Sequence, residues 1–177
     1  LKIIETEIEG VFDVLSEPRR DPRGFFARIY CPEELAAAGI NFTSTQINLS
    51  RNDAAFTLRG MHWQDAPHAE AKLVRAVTGL IHDVVVDLRP ESSTYCRWIA
   101  RRLSAEAANA LLIPEGCAHG FLTLAPDVDV LYQMSRPYVD GFARGLRWDD
   151  PTIGIDWPAE PRIIGDADRH WPCPWRA

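Results

Sequence analysis

Seven short runs rich in β-branched and aromatic residues, each ended by glycine, proline, asparagine or aspartate, set the strongest limit on how this chain can fold. They cover residues 43–49, 56–63, 72–78, 80–88, 97–103, 121–124 and 128–134. Strands of that length alternate their side chains between two faces, and the turn residues between them force repeated reversals. Only residues 33–38 and 105–110 have helix-like composition, and both are too short to hold a helix on propensity alone. Ser104, followed by Glu106 and Asn109, reads as a capped turn. The expected class is therefore all-β: a sandwich or barrel, the jelly roll first among them, with short peripheral helices.

A chain of 177 residues buries about 70% of its unfolded surface, so residues 1–177 are expected to form a single domain. There is no repeat or linker, and residues 149–177, rich in proline and tryptophan, are expected to pack as irregular coil. The net charge of −6 argues against nucleic acid as a partner, because a phosphate backbone needs a basic face. Local basic clusters, Arg19, Arg20 and Arg23, then Arg97, Arg101 and Arg102, read as solvated surface. Cys31, Cys96, Cys117 and Cys173 have neither CxxC spacing nor the density of a disulfide scaffold, which points to reduced thiols and the cytoplasm. No run has transmembrane length, and the first residues lack the plan of a signal peptide, so no membrane partner is expected.

Chemistry enters through Leu58-Arg59-Gly60-Met61-His62-Trp63-Gln64. On a regular strand Arg59 and His62 face opposite sides; a bulge at Gly60 would turn both into one cavity. Among the other histidines, His68 lies in a polar loop and His170 in the terminal coil. His82 alternates with Val84 and Val86 and reads as a satisfied core residue. His62 and His119 remain. No HxH pair exists, position 64 being Gln, so the three convergent ligands of a metal centre are not in view and neither metal nor cofactor is expected. No serine stands in a GxSxG elbow, and Cys117 reads as core. General acid–base chemistry survives this screen. An imidazole accepts protons near neutral pH. Asp168 is a candidate partner to fix its tautomer, Lys72 can stabilise an enolate oxygen, and Tyr132 can return a proton. Tyr132 reads equally as a core tyrosine, and Lys72 as a solvated strand end.

Asp21-Pro22-Arg23-Gly24-Phe25-Phe26, then Gln46, Asn48 and Ser50, the stretch 58–64, Lys72-Leu73-Val74-Arg75, residues 83–88, residues 113–121, Leu131-Tyr132 and residues 147–158 occur in this order. Together they resemble the dTDP-4-dehydrorhamnose 3,5-epimerase family over nearly the whole chain. The resemblance implies a metal-free, cupin-type jelly roll, normally a homodimer exchanging N-terminal strands, acting on a 4-keto-6-deoxy nucleotide sugar. It makes His62 the base, Asp168 its partner, Lys72 the oxyanion stabiliser and Tyr132 the acid. Arg23 and Arg59 would bind diphosphate, Phe26 and Tyr138 would flank the nucleobase, and His119 and Asp83 would meet the sugar, with Gln46 and Asn48 also in the binding set.

The chain departs from the family pattern where glutamate is usual and Arg28 and Ala143 stand, and where lysine is usual and Ala167 stands. Trp63 and Met61 replace the usual Tyr and Leu beside His62. A carboxylate accepts from a base N–H whereas arginine only donates, so the Arg28 change bears on which nucleobase is read. A single-centre epimerase, a 3,4-ketoisomerase of related architecture and a non-catalytic sugar-nucleotide-binding cupin are the alternatives.

Overall fold

The alternating runs pair into two facing sheets in the computed structural model, which describes residues 1–173. The strands are β1 (Lys2–Glu5), β2 (Phe12–Leu15), β3 (Arg19–Asp21), β4 (Gly24–Phe26), β5 (Gln46–Asn52), β6 (Thr57–Gln64) and β7 (Lys72–Thr78). They continue with β8 (Leu80–Asp87), β9 (Trp98–Ser104), β10 (Asn109–Ile113), β11 (Cys117–Thr123), β12 (Val128–Met134), β13 (Ala143–Gly145) and β14 (Ile163–Ile164). Two short helices, α1 (Pro32–Ala37) and α2 (Asp166–His170), lie at the periphery.

One sheet has the order β1-β2-β10-β7-β12-β5 and the other β13-β6-β11-β8-β9, with β14 parallel to β6; β3 and β4 form a separate hairpin. Every second residue of the facing strands meets in the middle. Val74 and Ala76 of β7 and Val128 and Val130 of β12 pack against Ile81 and Val85 of β8 and Phe121 of β11. Tyr132 leans on the edge of this cluster, where the core gives way to polar side chains. A second apolar layer covers the outside of the other sheet, where Met61, Val84, Val86 and Ala118 meet Leu146, Ile153 and Trp157. His82 belongs to that outer layer. It shares the face of Val84 and Val86 as its alternation predicts, but it lies edge-on to Trp157, at 5.9 Å between ring centroids, and not in the core between the sheets. Its Nε2 has no hydrogen-bond partner, so this is not the satisfied histidine the sequence suggested.

Two other expectations are corrected. Residues 105–110 are not helical: the Ser104 hydroxyl accepts the Ala107 N–H at 3.1 Å, Ala108 takes φ 48°, and the chain turns into β10. The Asn109 side chain closes that turn, accepting the Ser104 N–H and donating to the Arg102 carbonyl. The segment from residue 149 onward is not all coil, since it adds β14 alongside β6 and then α2.

The feature that shapes the site is a bulge between β6 and β11. His119 pairs with His62 and Phe121 with Arg59, so Gly60 and Met61 together oppose Gly120. The crossing is so close that a Cβ on Gly60 would lie 2.5 Å from the Gly120 Cα, and one on Gly120 would lie 2.6 Å from the Met61 sulfur. Gly60 also has φ +119°, a conformation that side chains rarely adopt. The extra residue reverses the alternation, and Arg59 and His62 line one cavity.

Candidate active site

Both sheets end their apolar packing at one side of the sandwich, leaving a cavity of ≈ 310 Å³. One wall comes from β5, β7 and β12, where alternation carries Asn48, Ser50, Lys72, Tyr132 and Met134 inward. The opposite wall comes from β6 and β11, which supply Arg59, His62 and His119. The last contribution, Asp168, is made by α2.

His62 Nε2 lies 2.5 Å from Asp168 Oδ1. The imidazole is 44% exposed and the carboxylate 9%, so the ring opens to the cavity while its partner is shielded. Asp168 Oδ2 accepts the Gly60 N–H at 3.1 Å, and Oδ1 also accepts the Trp171 indole N–H at 3.2 Å. Burial alone would raise the Asp168 carboxyl, but hydrogen bonds and charge from His62, then the Gly60 and Trp171 donors, outweigh it and hold the group below the usual carboxylate range. The bulge thus serves the dyad twice, by turning His62 inward and by aiming the Gly60 N–H at its partner.

Lys72 is buried, with Nζ 3.1 Å from Glu70 Oε1 and donating to the His62 carbonyl at 2.9 Å. Burial pushes its ammonium below the usual lysine range, opposed by the adjacent Glu70 charge. An ammonium has three N–H donors, so one remains for whatever enters the cavity. Glu70 Oε2 is buried with no partner. Burial, then the Asp83 charge, pushes the Tyr132 phenol above its usual range, which favours the protonated form. His119 forms a second imidazole–carboxylate pair, its Nε2 2.8 Å from Asp83 Oδ1, and its ring stands edge-on to Tyr132 at 5.7 Å.

Of the residues singled out from the sequence, His62, Lys72, Tyr132, Asp168, Asn48, Arg59 and His119 share this cavity. Asp83 does not line it: it is fully buried behind His119. Gln46 sits at the rim, donating to Asn48 Oδ1 at 3.1 Å and accepting the Tyr138 N–H at 3.1 Å, while the Tyr138 side chain is 60% exposed. Arg23 pairs with Asp21 on the β3–β4 hairpin, and Phe26 on the same hairpin is 79% exposed, in a different cleft beside Arg28. Arg28 is ion-paired with Glu34 there. Ala143 pairs with Gln64 in β13, and Ala167 stands in the first turn of α2. Sequence reasoning passed over Glu70, Met134 and Trp171. The period of two on β12 places Met134 beside Tyr132, whereas no pattern marks Glu70 or Trp171.

Among the described residues no group of three or more His, Cys, Asp or Glu side chains is placed to hold a metal ion, and no helix is long and apolar enough to cross a membrane. What the cavity can do is move protons: it sets an imidazole with a carboxylate behind it against a phenol from the opposite sheet, and an ammonium beside the phenol's strand donates to the backbone of the imidazole's residue.

Comparison with known proteins identifies the family. The profile of the family described as dTDP-4-dehydrorhamnose 3,5-epimerase matches residues 5–174. The chain is 39% identical over 173 residues to the dTDP-4-dehydrorhamnose 3,5-epimerase of Methanothermobacter thermautotrophicus, covering 96% of this chain and 92% of that one. It superposes with TM-score 0.94 and 37% identity on the crystal structure of the Bacillus anthracis enzyme of that name with TDP and PPi bound, over 97% of this chain and 98% of that one. ChmJ, a 3'-monoepimerase from Streptomyces bikiniensis in complex with dTDP-quinovose, matches with TM-score 0.89 and 30% identity over 96% and 86%. The jelly roll is thus the cupin-like fold of these isomerases, and the chain belongs to the dTDP-4-dehydrorhamnose 3,5-epimerase family.

Proposed function

We propose that this protein inverts configuration beside the C4 ketone of a 4-keto-6-deoxy nucleotide sugar, at C3 and C5, for deoxysugar biosynthesis. The observation that carries the proposal is that His62 on one wall faces the same cavity as Tyr132 and Lys72 on the other. The ketone acidifies the neighbouring C–H bonds. His62 removes a proton, and the C–H electron pair moves to form the enolate. The free N–H of Lys72 takes the charge on the C4 oxygen, and Asp168 holds the imidazolium. Tyr132 then protonates the carbon from the opposite face, and the two side chains exchange their protons with solvent. Positioned acid–base groups of this kind contribute roughly 10²–10⁴-fold each.

Arg59 is assigned to the diphosphate and Asn48 and His119 to the sugar, an assignment supported by all three lining the cavity. Arg23 and Phe26, exposed on their hairpin, are assigned to a partner's cavity in a homodimer that exchanges N-terminal strands, with Tyr138 at the nucleobase. Support for the dimer comes from edge strand β5, which leaves Ile47 61% and Leu49 63% exposed. Cys31, Cys96 and Cys117 form no disulfide among the described residues, which supports a reducing, cytoplasmic setting.

The test is proton NMR of dTDP-4-keto-6-deoxyglucose in deuterated buffer with wild type and His62→Ala. Deuterium entry at both C3 and C5, lost in the variant, is the expected result, and entry at one centre identifies a single-centre epimerase. No exchange by wild type, or exchange that survives His62→Ala, refutes the assignment. Titration with dTDP, CDP, GDP and UDP reads the nucleotide preference that Arg28 bears on.

A further inference from the structure

Asp168 Oδ1 receives two donors, and only one of them belongs to the acid–base pair. The second is the indole N–H of Trp171, which follows α2 and leaves the helical conformation at φ −56°, ψ 146°. Its ring lies flat against Gly145, where a Cβ would stand 2.3–2.4 Å from three indole atoms. No positive φ is recorded at Gly145, so its lack of a side chain answers to the space the indole occupies. Gly145 is also the residue that pairs with His62 across β13 and β6. The indole stands edge-on to the imidazole, at 6.2 Å between centroids. The indole also lines a second, largely apolar cavity with Trp63 and Leu88.

We infer that Trp171 is a positioning residue of the reaction: its N–H and its seat on Gly145 hold the Asp168 carboxylate in line with His62 and limit how strongly that carboxylate holds the imidazolium. The inference rests on the epimerase reading above. A carboxylate oxygen shared by two donors offers less charge to each. With the indole N–H removed, Oδ1 turns wholly to His62 and retains the imidazolium proton to higher pH. The base is then blocked over more of the acid range. The other groups around the dyad stay in place: Arg59 on β6, His119 with Asp83 behind it, Lys72 with Glu70, Tyr132, and Asp166, Arg169 and His170 on α2 itself.

Trp171→Phe keeps an aromatic ring, removes the donor and loosens the seat on Gly145. For that variant, kcat is expected to fall about ten-fold, the worth of one hydrogen bond to a charged group, with KM within about two-fold of wild type. The acid limb of the kcat profile is expected to move up by about 0.5–1 pH unit. A profile that superimposes on wild type, or a change confined to KM, overturns the inference. A second measurement does not depend on that variant folding or on turnover. In protein labelled with ¹⁵N at tryptophan, Asp168→Asn is expected to shift one indole N–H resonance, and an unmoved set of indole resonances overturns the contact. Absence of exchange by wild type refutes the epimerase reading instead, and the indole resonances then still decide the Trp171 contact.

Discussion

Replacing Lys72 with Met separates what the lysine does for the fold from what it does for the reaction. Its ammonium and the Glu70 carboxylate form a buried pair at 3.1 Å, with side chains only 7% and 3% exposed. Met fills nearly the same volume but strands the carboxylate, whose other oxygen already lacks a partner, and it also removes the donor to the His62 carbonyl. Breaking a buried pair from one side costs about 3–5 kcal/mol, most of it the penalty for the charge left behind. For a protein of this size that corresponds to a fall in Tm of roughly 6–20 °C. Adding Glu70→Gln to Lys72→Met removes the stranded charge, and at least about half of the loss is expected to return. Activity is not expected to return with it, because the enolate still has no ammonium. Thermal or urea melts of the wild type, both single variants and the double variant, together with solvent-deuterium exchange, give the full cycle. A Lys72→Met protein within about 1 kcal/mol of wild type, or a double variant no more stable than that single one, would refute the buried-pair argument.

Tyr132→Phe is expected to lower inversion by about 10²–10⁴-fold while deuterium entry at the carbon acid persists, because the base remains and only the opposite-face donor is gone; equal loss of exchange and inversion refutes this division of labour. Gly60→Ala meets both a positive φ and the Gly120 Cα at 2.5 Å, and is expected to cost more than about 3 kcal/mol, measured by urea melts, and to displace Arg59 and His62 together. Asp87 is fully buried. Burial would raise its carboxyl, but hydrogen bonds from Arg89, Ser92 and Thr94 hold it well below the usual range. That stabilisation is present at neutral pH and is lost as pH falls below about 4, so Asp87→Asn is expected to cost about 2 kcal/mol at pH 7 and progressively less in acid. A gap from wild type that is constant with pH sinks that account.

Most strands were legible because a half-buried strand leaves its period of two in the chain. Residues 72–78 and 128–134 match β7 and β12 end to end. The short N-terminal strands were not legible, for β3 is wholly exposed and carries no apolar alternation at all. The strand reading also broke at glycines: residues 121–124 stood for β11, whose first half contains Gly120. The same physics hid part of the site. Gly60 signalled a bulge, but only the register with Gly120 shows that the bulge sends Arg59 and His62 to one side. Glu70 and Trp171 left no local mark because their roles depend on partners, Lys72 and Asp168, whose own positions are set by tertiary packing.

The order in which the dyad is made has its own consequence. His62 and Asp168 are 106 residues apart, and the carboxylate arrives only with α2, after every strand has been laid down. The residues of both walls are therefore made before the partner of the imidazole is. A polypeptide interrupted before residue 166 carries the other residues that line the cavity and lacks the carboxylate behind the imidazole. Docking of α2 is thus the step that completes the imidazole–carboxylate pair, and in the order of synthesis it follows every strand that walls the cavity.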